Sequence, residues 1–216
     1  MRIYDEIRPR SLSEVKGQDQ ALAALAGLRA KFGGLGGQAL WITGKSGCGK
    51  SLIASLLANE LAVDWCIETV DAGEITAGVM DTFVRGSHLC GMGSEKSGRV
   101  YIIEEAHGLR ADIMRRMLTW LQALPHVSTV IFTTTVDGQA ALFDSKMNAS
   151  PLVSRCWPVR LSTQGMAEPV AAFLRERFAS IGMNGKPIGW FVRKMQDAKN
   201  NVRQAIHNIA SSLAAS

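Results

Sequence analysis

The sequence predicts an α/β fold, a parallel-sheet body over residues 1–161 followed by a small all-α domain over residues 162–216. Three observations carry that reading. Apolar runs of strand length, Ala39-Leu40-Trp41-Ile42, Val100-Tyr101-Ile102-Ile103 and Val130-Ile131-Phe132, alternate with segments of helical periodicity. A glycine-rich stretch, Gly44 to Ser51 (GKSGCGKS), joins the first run to a helix-like one, Leu52-Ile53-Ala54-Ser55-Leu56-Leu57. From Met166 onward, apolar residues recur at helical spacing only.

In chain order, Pro9 bars a helix at Arg8, so the segment from Glu6 (EIRPRSLSEVKGQ) is expected to start irregular, with periodicity starting at Gln18. Leu22, Leu25, Leu28 and Phe32 mark a helix that ends at the Gly33-Gly34-Leu35-Gly36-Gly37 loop. After the glycine-rich stretch a helix runs to about Leu61, and Trp65-Cys66-Ile67-Glu68-Thr69-Val70 reads as the second strand. A helical stretch near Ala77 to Leu89 precedes the polar run Gly91 to Gly98, expected as an exposed loop. The strand Val100 to Glu105, the helix Ala111 to Leu121 and the strand Val130 to Thr135 follow. Asp137 to Pro151 is loop-like, and Trp157 to Leu161 is a short strand. Val170, Phe173, Leu174 and Phe178 line one helix, Ile188 to Met195 gives a second, and Val202, Ile206, Ile209 and Leu213 a third.

The stretch Gly44 to Ser51 fits GxxxxGK[ST] in every fixed position, with strand before and helix after. A nucleotide triphosphate needs several donors converging from one side. Gly44, Gly47 and Gly49 let the backbone turn tightly and bring N–H groups close, and the start of the following helix adds partial positive charge. Lys50 is expected to reach the outer phosphates, and the Ser51 hydroxyl to take a place on Mg2+. Lys45, Ser46, Cys48 and Leu52 complete the nucleotide-binding stretch, with Cys48 as a small filler.

The strand Val100 to Glu105 delivers two carboxylates at its carboxyl end, where a parallel sheet presents its ligands. Alternation along the strand points them apart, so Glu104 is expected to orient the magnesium and its waters, and Glu105 to polarise the attacking water as general base. The plainer alternative is two acids capping the next helix. Thr133-Thr134-Thr135 ends its strand in hydroxyls suited to an attacking water or a terminal phosphate, although threonine also suits strand packing.

A composition of 47% hydrophobic and 20% charged residues excludes disordered and fibrous classes. No apolar run approaches the ~20 residues that span a bilayer. The start MRIYDEIRPR carries charge where a signal peptide needs an apolar block, so a cytoplasmic protein is expected. Cys48, Cys66, Cys90 and Cys156 lack CxxC spacing and suggest neither a zinc site nor a disulfide framework. The net charge of +5 permits contact with nucleic acid without demanding it.

With these residues in place, the chain resembles an AAA+ ATPase, a P-loop NTPase, over almost its whole length. Within that group it is most similar to the clamp-loader ATPase subunits of DNA replication. EIRPRSLSEVKGQ is similar to the box that closes over adenine, which implies Arg8, Pro9 and Val15 near the base. YIIEEAH is similar to the Walker B strand, and Thr135 falls at the sensor-1 position. Ser154-Arg155-Cys156 matches the Ser-Arg-Cys motif, whose arginine acts as a finger into the neighbouring subunit's nucleotide. NNVRQAIHNI is similar to the sensor-2 segment, making Arg203 the sensor-2 arginine and residues 162–216 the helical lid. The resemblance implies ATP and Mg2+ as ligands, a homo- or hetero-oligomer of AAA+ subunits, and a sliding clamp and DNA as partners. Three departures stand beside it. Glu104 occupies a position where Asp is usual, an extra methylene compatible with slow hydrolysis; the cysteine cluster of a zinc module is missing; and the sequence stops at the end of the lid, where clamp loaders carry a collar domain that this protein either lacks or carries beyond residue 216.

The expected function is an ATP-binding and hydrolysing oligomeric switch in DNA replication or repair, with Glu105, Thr135, Arg155 and Arg203 as its catalytic set. Arg85, Lys96, Arg99, Arg110, Arg115 and Arg116 are either DNA-phosphate contacts or a solvated face. Two alternatives stay open: a nucleotide-gated scaffold with little turnover, and a helicase or helicase-loader motor, against which the Ser-Arg-Cys triplet argues.

Overall fold

A computed structural model describes residues 3–89, 96–135, 150–183 and 185–214. Strands β1 (Ala39–Gly44), β2 (Ile67–Asp71), β3 (Arg99–Glu104), β4 (Ser128–Thr135) and β5 (Trp157–Arg160) form a parallel sheet in the order β2-β3-β4-β1-β5. The register sets Gly44 opposite Thr135, Asp71 opposite Glu104 and Ile103 opposite Phe132, so the carboxyl ends of β1, β3 and β4 meet at one edge. Ligands of open α/β sheets gather at such an edge.

Helices α1 (Ile3–Ile7), α2 (Asp19–Phe32), α3 (Lys50–Leu61), α4 (Ala77–Gly86), α5 (Ala111–Gln122) and α6 (Ser150–Val153) surround this body, and α7 (Ala167–Ser180), α8 (Ile188–Asp197) and α9 (Val202–Ala214) follow it. Side chains of alternate parity leave the strands on opposite faces. Trp41, Tyr101, Ile103, Val130 and Phe132 share one core with Met80 and Phe83 of α4 and Ile113, Met117 and Trp120 of α5. Leu40, Ile42, Val100, Ile102 and Ile131 share the other with Leu25 of α2 and Ile53 and Leu57 of α3. Because both faces are covered, the strands read as unbroken apolar runs, and each fully buried side chain of this size contributes about 1.5–3 kcal/mol. On the first face the Phe83, Tyr101 and Trp120 rings pack tilted or edge-on, with centroids 4.8–5.6 Å apart.

A third core joins Leu174 and Phe178 of α7, Phe191 and Met195 of α8 and Ile209 of α9, and it takes in Ile7 of α1. The start of the chain is thereby docked on its final helices. The ion pair of Glu14 with Arg177 of α7, at 2.6 Å, repeats the connection. The Arg10 backbone N–H, helped by Arg177, holds the Glu14 carboxyl below its ordinary range.

Several boundaries differ from expectation. The segment from Glu6 is not irregular from its first residue: Glu6 and Ile7 end a helix, Ile3–Ile7, too short to hold by propensity and fixed by the burial of Ile7. The helix ends just before Arg8, as Pro9 requires. Trp65 and Cys66 belong to a 3-10 turn, Asp64–Cys66, and β2 starts only at Ile67. Trp65 is 73% exposed, so its side chain contributes nothing to a core. The third strand stops at Glu104. The helix expected to reach Leu89 ends at Gly86, and Ser150–Val153 is helical where loop was expected to continue to Pro151. Cys90 and the stretches Gly91 to Glu95 and Asp137 to Ala149 lie outside the described residues. Among the described residues, no helix is long and apolar enough to cross a membrane.

Candidate functional site

The glycine-rich loop leaves the carboxyl end of β1, between β4 and β5, and runs directly into α3. Space decides its composition. A Cβ on Gly44 would lie 2.6 Å from the Cys48 Sγ and 2.9 Å from the Leu161 Cβ, so the loop folds over the strand end only because Gly44 has no side chain. Cys48 fills the space beneath, as expected for a small filler, and its burial pushes the thiol pKa up against the pull of Lys50. Gly47 has φ +74° and touches the start of α9: the Val202 N–H donates to the Gly47 carbonyl at 3.0 Å.

Lys50 is only 7% exposed and its Nζ donates to the carbonyls of Gly44 and Lys45, both at 3.2 Å. No carboxylate pairs with it among the described residues. A buried ammonium ion whose partners are loop carbonyls alone is one that an anion would complete.

A cleft of about 630 Å³ opens beside this loop, closed by the N-terminal segment on one side and by α7 and α9 on another. Arg8, Pro9 and Val15 line it, together with Ser46, Gly47, Cys48, Gly49, Lys50, Ser51 and Leu52, and with Glu105 and Arg203. Its apolar lining includes Ile7, Val170, Phe173 and Ile206, a surface suited to a flat ring. Residues separated by nearly the whole chain thus meet in one cleft. Gly44, Lys45, Glu104, Thr135 and Arg155 are not among the described residues that line it. Gly44 is buried under the loop, and Lys45 is exposed beside it.

Glu105 departs from the expected strand geometry. It sits past the end of β3 with φ 50° and ψ 49°, a left-handed conformation, and its carbonyl accepts from the Gly108 N–H at 2.7 Å. The two acids therefore diverge through a turn and not through strand alternation: Glu104 ends the ladder beside Asp71, while Glu105 is lifted into the cleft. The turn packs on Ala106, which is fully buried, so a non-glycine residue is held in a backbone region that costs about 1–3 kcal/mol. Among the described residues no group of three or more His, Cys, Asp or Glu side chains is placed to hold a metal ion. A magnesium ion here would rest on phosphate oxygens and water with few protein ligands, as Mg2+ at nucleotide sites does. Ser51 in the cleft and Glu104 at the adjoining strand end suit that sparse arrangement.

Arg155 is exposed, two residues before β5, and its guanidinium donates to the Pro151 carbonyl at 2.8 Å. Its neighbour Cys156 is buried, and burial pushes that thiol up to about 12. The basic side chains that the sequence leaves as DNA-phosphate contacts or a solvated face divide. Arg99 turns inward to Glu68 and to the Tyr101 hydroxyl, and only 13% of its side chain is exposed, so it serves the fold. Arg116 pairs with Asp81 at 3.0 Å, Arg110 with Asp112 at 3.7 Å, Arg85 Nε donates to the Asp81 carbonyl at 3.2 Å, and Lys96 Nζ to the Asn59 carbonyl at 2.6 Å.

Three residues of the site escaped the sequence reading. Gln18, 3% exposed, donates to the Ser162 carbonyl at 2.8 Å and to that of Cys48 at 3.4 Å, and accepts from the Ser162 N–H at 3.1 Å, stapling the loop to the exit of β5. Asn201 lies against Gly47, and its Oδ1 accepts from the Gln204 N–H at 3.1 Å, capping α9. His107 stands between Glu105 and Thr134. All three lie inside segments that carry the family resemblance, Gln18 in EIRPRSLSEVKGQ, His107 in YIIEEAH and Asn201 in NNVRQAIHNI, but their contacts leave no mark in the residue pattern.

Solved structures with the same fold include the RuvB Holliday junction branch migration motor of Thermotoga maritima, at a TM-score of 0.73 and 21% identity over 95% of this chain and 64% of that one. A variant of the same RuvB gives 0.73 and 20% over 94% and 64%. A closed-state cryo-electron-microscopy reconstruction of Hsp104 with ATPγS and FITC-casein gives 0.65 and 14% over 92% of this chain and 44% of that one. At these identities the likeness is one of fold, and the chain spans just under two thirds of the RuvB chains it matches, 64%. No curated protein matches the sequence. The model of the AAA family, ATPase family associated with various cellular activities, matches residues 40–150, half of the chain and the part that carries the loop, Glu104, Glu105 and Thr135. The chain belongs to the AAA family of ATPases.

Proposed function

We propose that the protein binds ATP with Mg2+ in the cleft at Lys50 and hydrolyses it as an oligomeric switch in DNA replication or repair, in the manner of a clamp-loader subunit. The observation that carries this reading is the division of its cationic groups: Lys50 and Arg203 line the cleft, whereas Arg155 lies exposed outside it. An arginine so placed is available to a neighbouring protomer's nucleotide, and a site finished in this way turns over only when assembled. Lys50 would leave the loop carbonyls for the outer phosphates, and Arg8, Pro9 and Val15 would enclose the base. Glu105 would take a proton from the attacking water, with Thr135 holding that water or the terminal phosphate. Ser51 and Glu104 would hold the magnesium, which supplies charge neutralisation on the phosphates. The division into a nucleotide-binding body (1–161) and a lid (162–216) belongs to the same proposal, with Arg203 linking the lid's angle to the bound nucleotide. Ser154-Arg155-Cys156 supports the clamp-loader subtype, with a sliding clamp and DNA as partners. Steady-state ATPase with and without primed DNA and a clamp tests it: stimulation by both is expected, and no response to either overturns clamp loading.

A second reading has its own support in the fold shared with RuvB, which is described as a branch migration motor. On that reading the chain works as part of a DNA-translocating ring. Unwinding or branch migration by the protein, with no response to a clamp, would favour it.

A further inference from the structure

We propose that His107 is the positioning residue for Glu105, holding its carboxylate against the end of β4 through a donor on Nδ1; this rests on Glu105 being the general base. The carboxylate needs such a partner. Glu105 projects from a turn and 46% of its side chain is exposed, so packing leaves its rotamer open. Thr134 is the opposite case, fully buried within β4 one residue before Thr135. His107 spans the two: its Nδ1 lies 3.2 Å from the Thr134 Oγ1 and 3.4 Å from the Glu105 Oε2.

The hydrogen atoms can be assigned from the partners. An ionised carboxylate only accepts, so the ring nitrogen facing it has to carry a proton. The Thr134 hydroxyl donates to the Thr135 carbonyl at 3.4 Å, which leaves its oxygen to accept from the same Nδ1–H. One tautomer, with the proton on Nδ1, satisfies all three groups; the Nε2–H tautomer would set a lone pair against the carboxylate. The ring itself is kept in place by its own turn, Glu105 to Gly108, closed by the Gly108 N–H on the Glu105 carbonyl at 2.7 Å and anchored by buried Ala106 and Leu109. The Glu105 contact is long for a hydrogen bond, as base contacts often are before substrate arrives. The bridge therefore ties the group that would activate water to the strand that presents Thr135.

Three substitutions separate positioning from simple support of the turn. Asn places its side-chain N–H where Nδ1 stands, Gln extends it towards the place of Nε2, and Ala removes it. In the full-length assembled protein, His107→Ala and His107→Gln are expected to lower kcat about 10- to 100-fold with KM for ATP and nucleotide affinity little changed, while His107→Asn recovers most of the rate. Glu105→Gln is measured in parallel. If Glu105→Gln turns over like wild type, the assignment of the base fails and the proposal falls with it; if Glu105→Gln is inactive and His107→Ala keeps the wild-type kcat, the proposal alone fails. A second measurement is independent of turnover. Imidazole 15N NMR of the resting protein, with the His107 signal identified by its loss in His107→Ala, is expected to show a protonated Nδ1 whose resonance moves in Thr134→Val. A bare Nδ1 with the proton on Nε2 would overturn the assignment.

Discussion

Gly47→Ala probes the joint between the phosphate loop and the final helices. A Cβ at this position would stand 1.9 Å from the Asn201 Oδ1 and 2.3 Å from its Cγ, and the backbone at φ +74° disfavours an L-residue. The conformational part costs about 1–2 kcal/mol. Relief of the overlap requires Asn201 to swing away and release the Gln204 N–H it accepts at 3.1 Å, the loss of a helix cap worth about 1 kcal/mol. The smaller entropy of the unfolded chain returns about 0.4–1 kcal/mol, leaving a net loss of about 2 kcal/mol. In an Asn201→Gly background the overlap is gone and glycine keeps all but a few tenths of a kcal/mol of the cap, so the same Gly47→Ala change should cost about 1 kcal/mol less. The backbone and unfolded-state contributions are common to both backgrounds and cancel in the difference. Equilibrium urea unfolding of wild type, the two single variants and the double variant gives this coupling directly. Additivity within about 0.3–0.5 kcal/mol would refute the contact of Asn201 with the loop as the source of the effect.

Other expectations follow from the same geometry. Lys50→Ala should abolish nucleotide binding, measured by fluorescent ATP-analogue titration, whereas Arg155→Ala should leave binding intact and remove hydrolysis in the assembled state only; equal loss of binding in both would contradict the role given to Arg155. Cys156 should make the fold sensitive to alkali. Its folded pKa of about 12 exceeds the ordinary value of 9.0, so its contribution is complete below about pH 9 and is lost as pH rises towards 12. The slope is about 1.4 kcal/mol per pH unit. Stability of wild type should fall more steeply than that of Cys156→Ala between pH 8 and about pH 10, and parallel declines would show that burial does not hold the thiol neutral. Acid should loosen the link between Glu14 and Arg177. The Glu14 pKa is lowered on folding, so its stabilisation is present above the ordinary carboxylate range and lost as pH falls through the lowered value. Glu14→Gln should blunt the acid sensitivity of amide-exchange protection in α7, and an unchanged acid profile would sink that link.

What the sequence made legible was local. The loop Gly44 to Ser51, the strand cores Ala39 to Ile42 and Val130 to Thr135 and the helical periodicity after Met166 could be read because a few consecutive residues determine each. The cleft needed more. Its apolar lining joins Ile7 and Val15 to Phe173 and Ile206, and its loop is stapled by Gln18 through Ser162, a contact across 144 positions that leaves no periodic mark. His107 meets Thr134 across 27 positions for the same reason. The left-handed turn at Glu105 was hidden as well, since two acids after an apolar run read equally well as a continuing strand. Arg99 shows the converse: in the sequence it reads as a DNA-phosphate contact or a solvated charge, whereas in the fold Glu68 and Tyr101 enclose it. Tertiary contacts, not composition, separate these cases.

The most direct test of the account mixes two inactive variants. Arg155→Ala retains its own Glu105 and loses its finger, whereas Glu105→Gln retains the finger and loses its own base. If each site draws Arg155 from a neighbour, random assembly of equal amounts leaves about one interface in four with both groups intact, and the mixture should recover about a quarter of wild-type ATPase activity. A mixture as inactive as either variant alone would show that the nucleotide is served by a single chain.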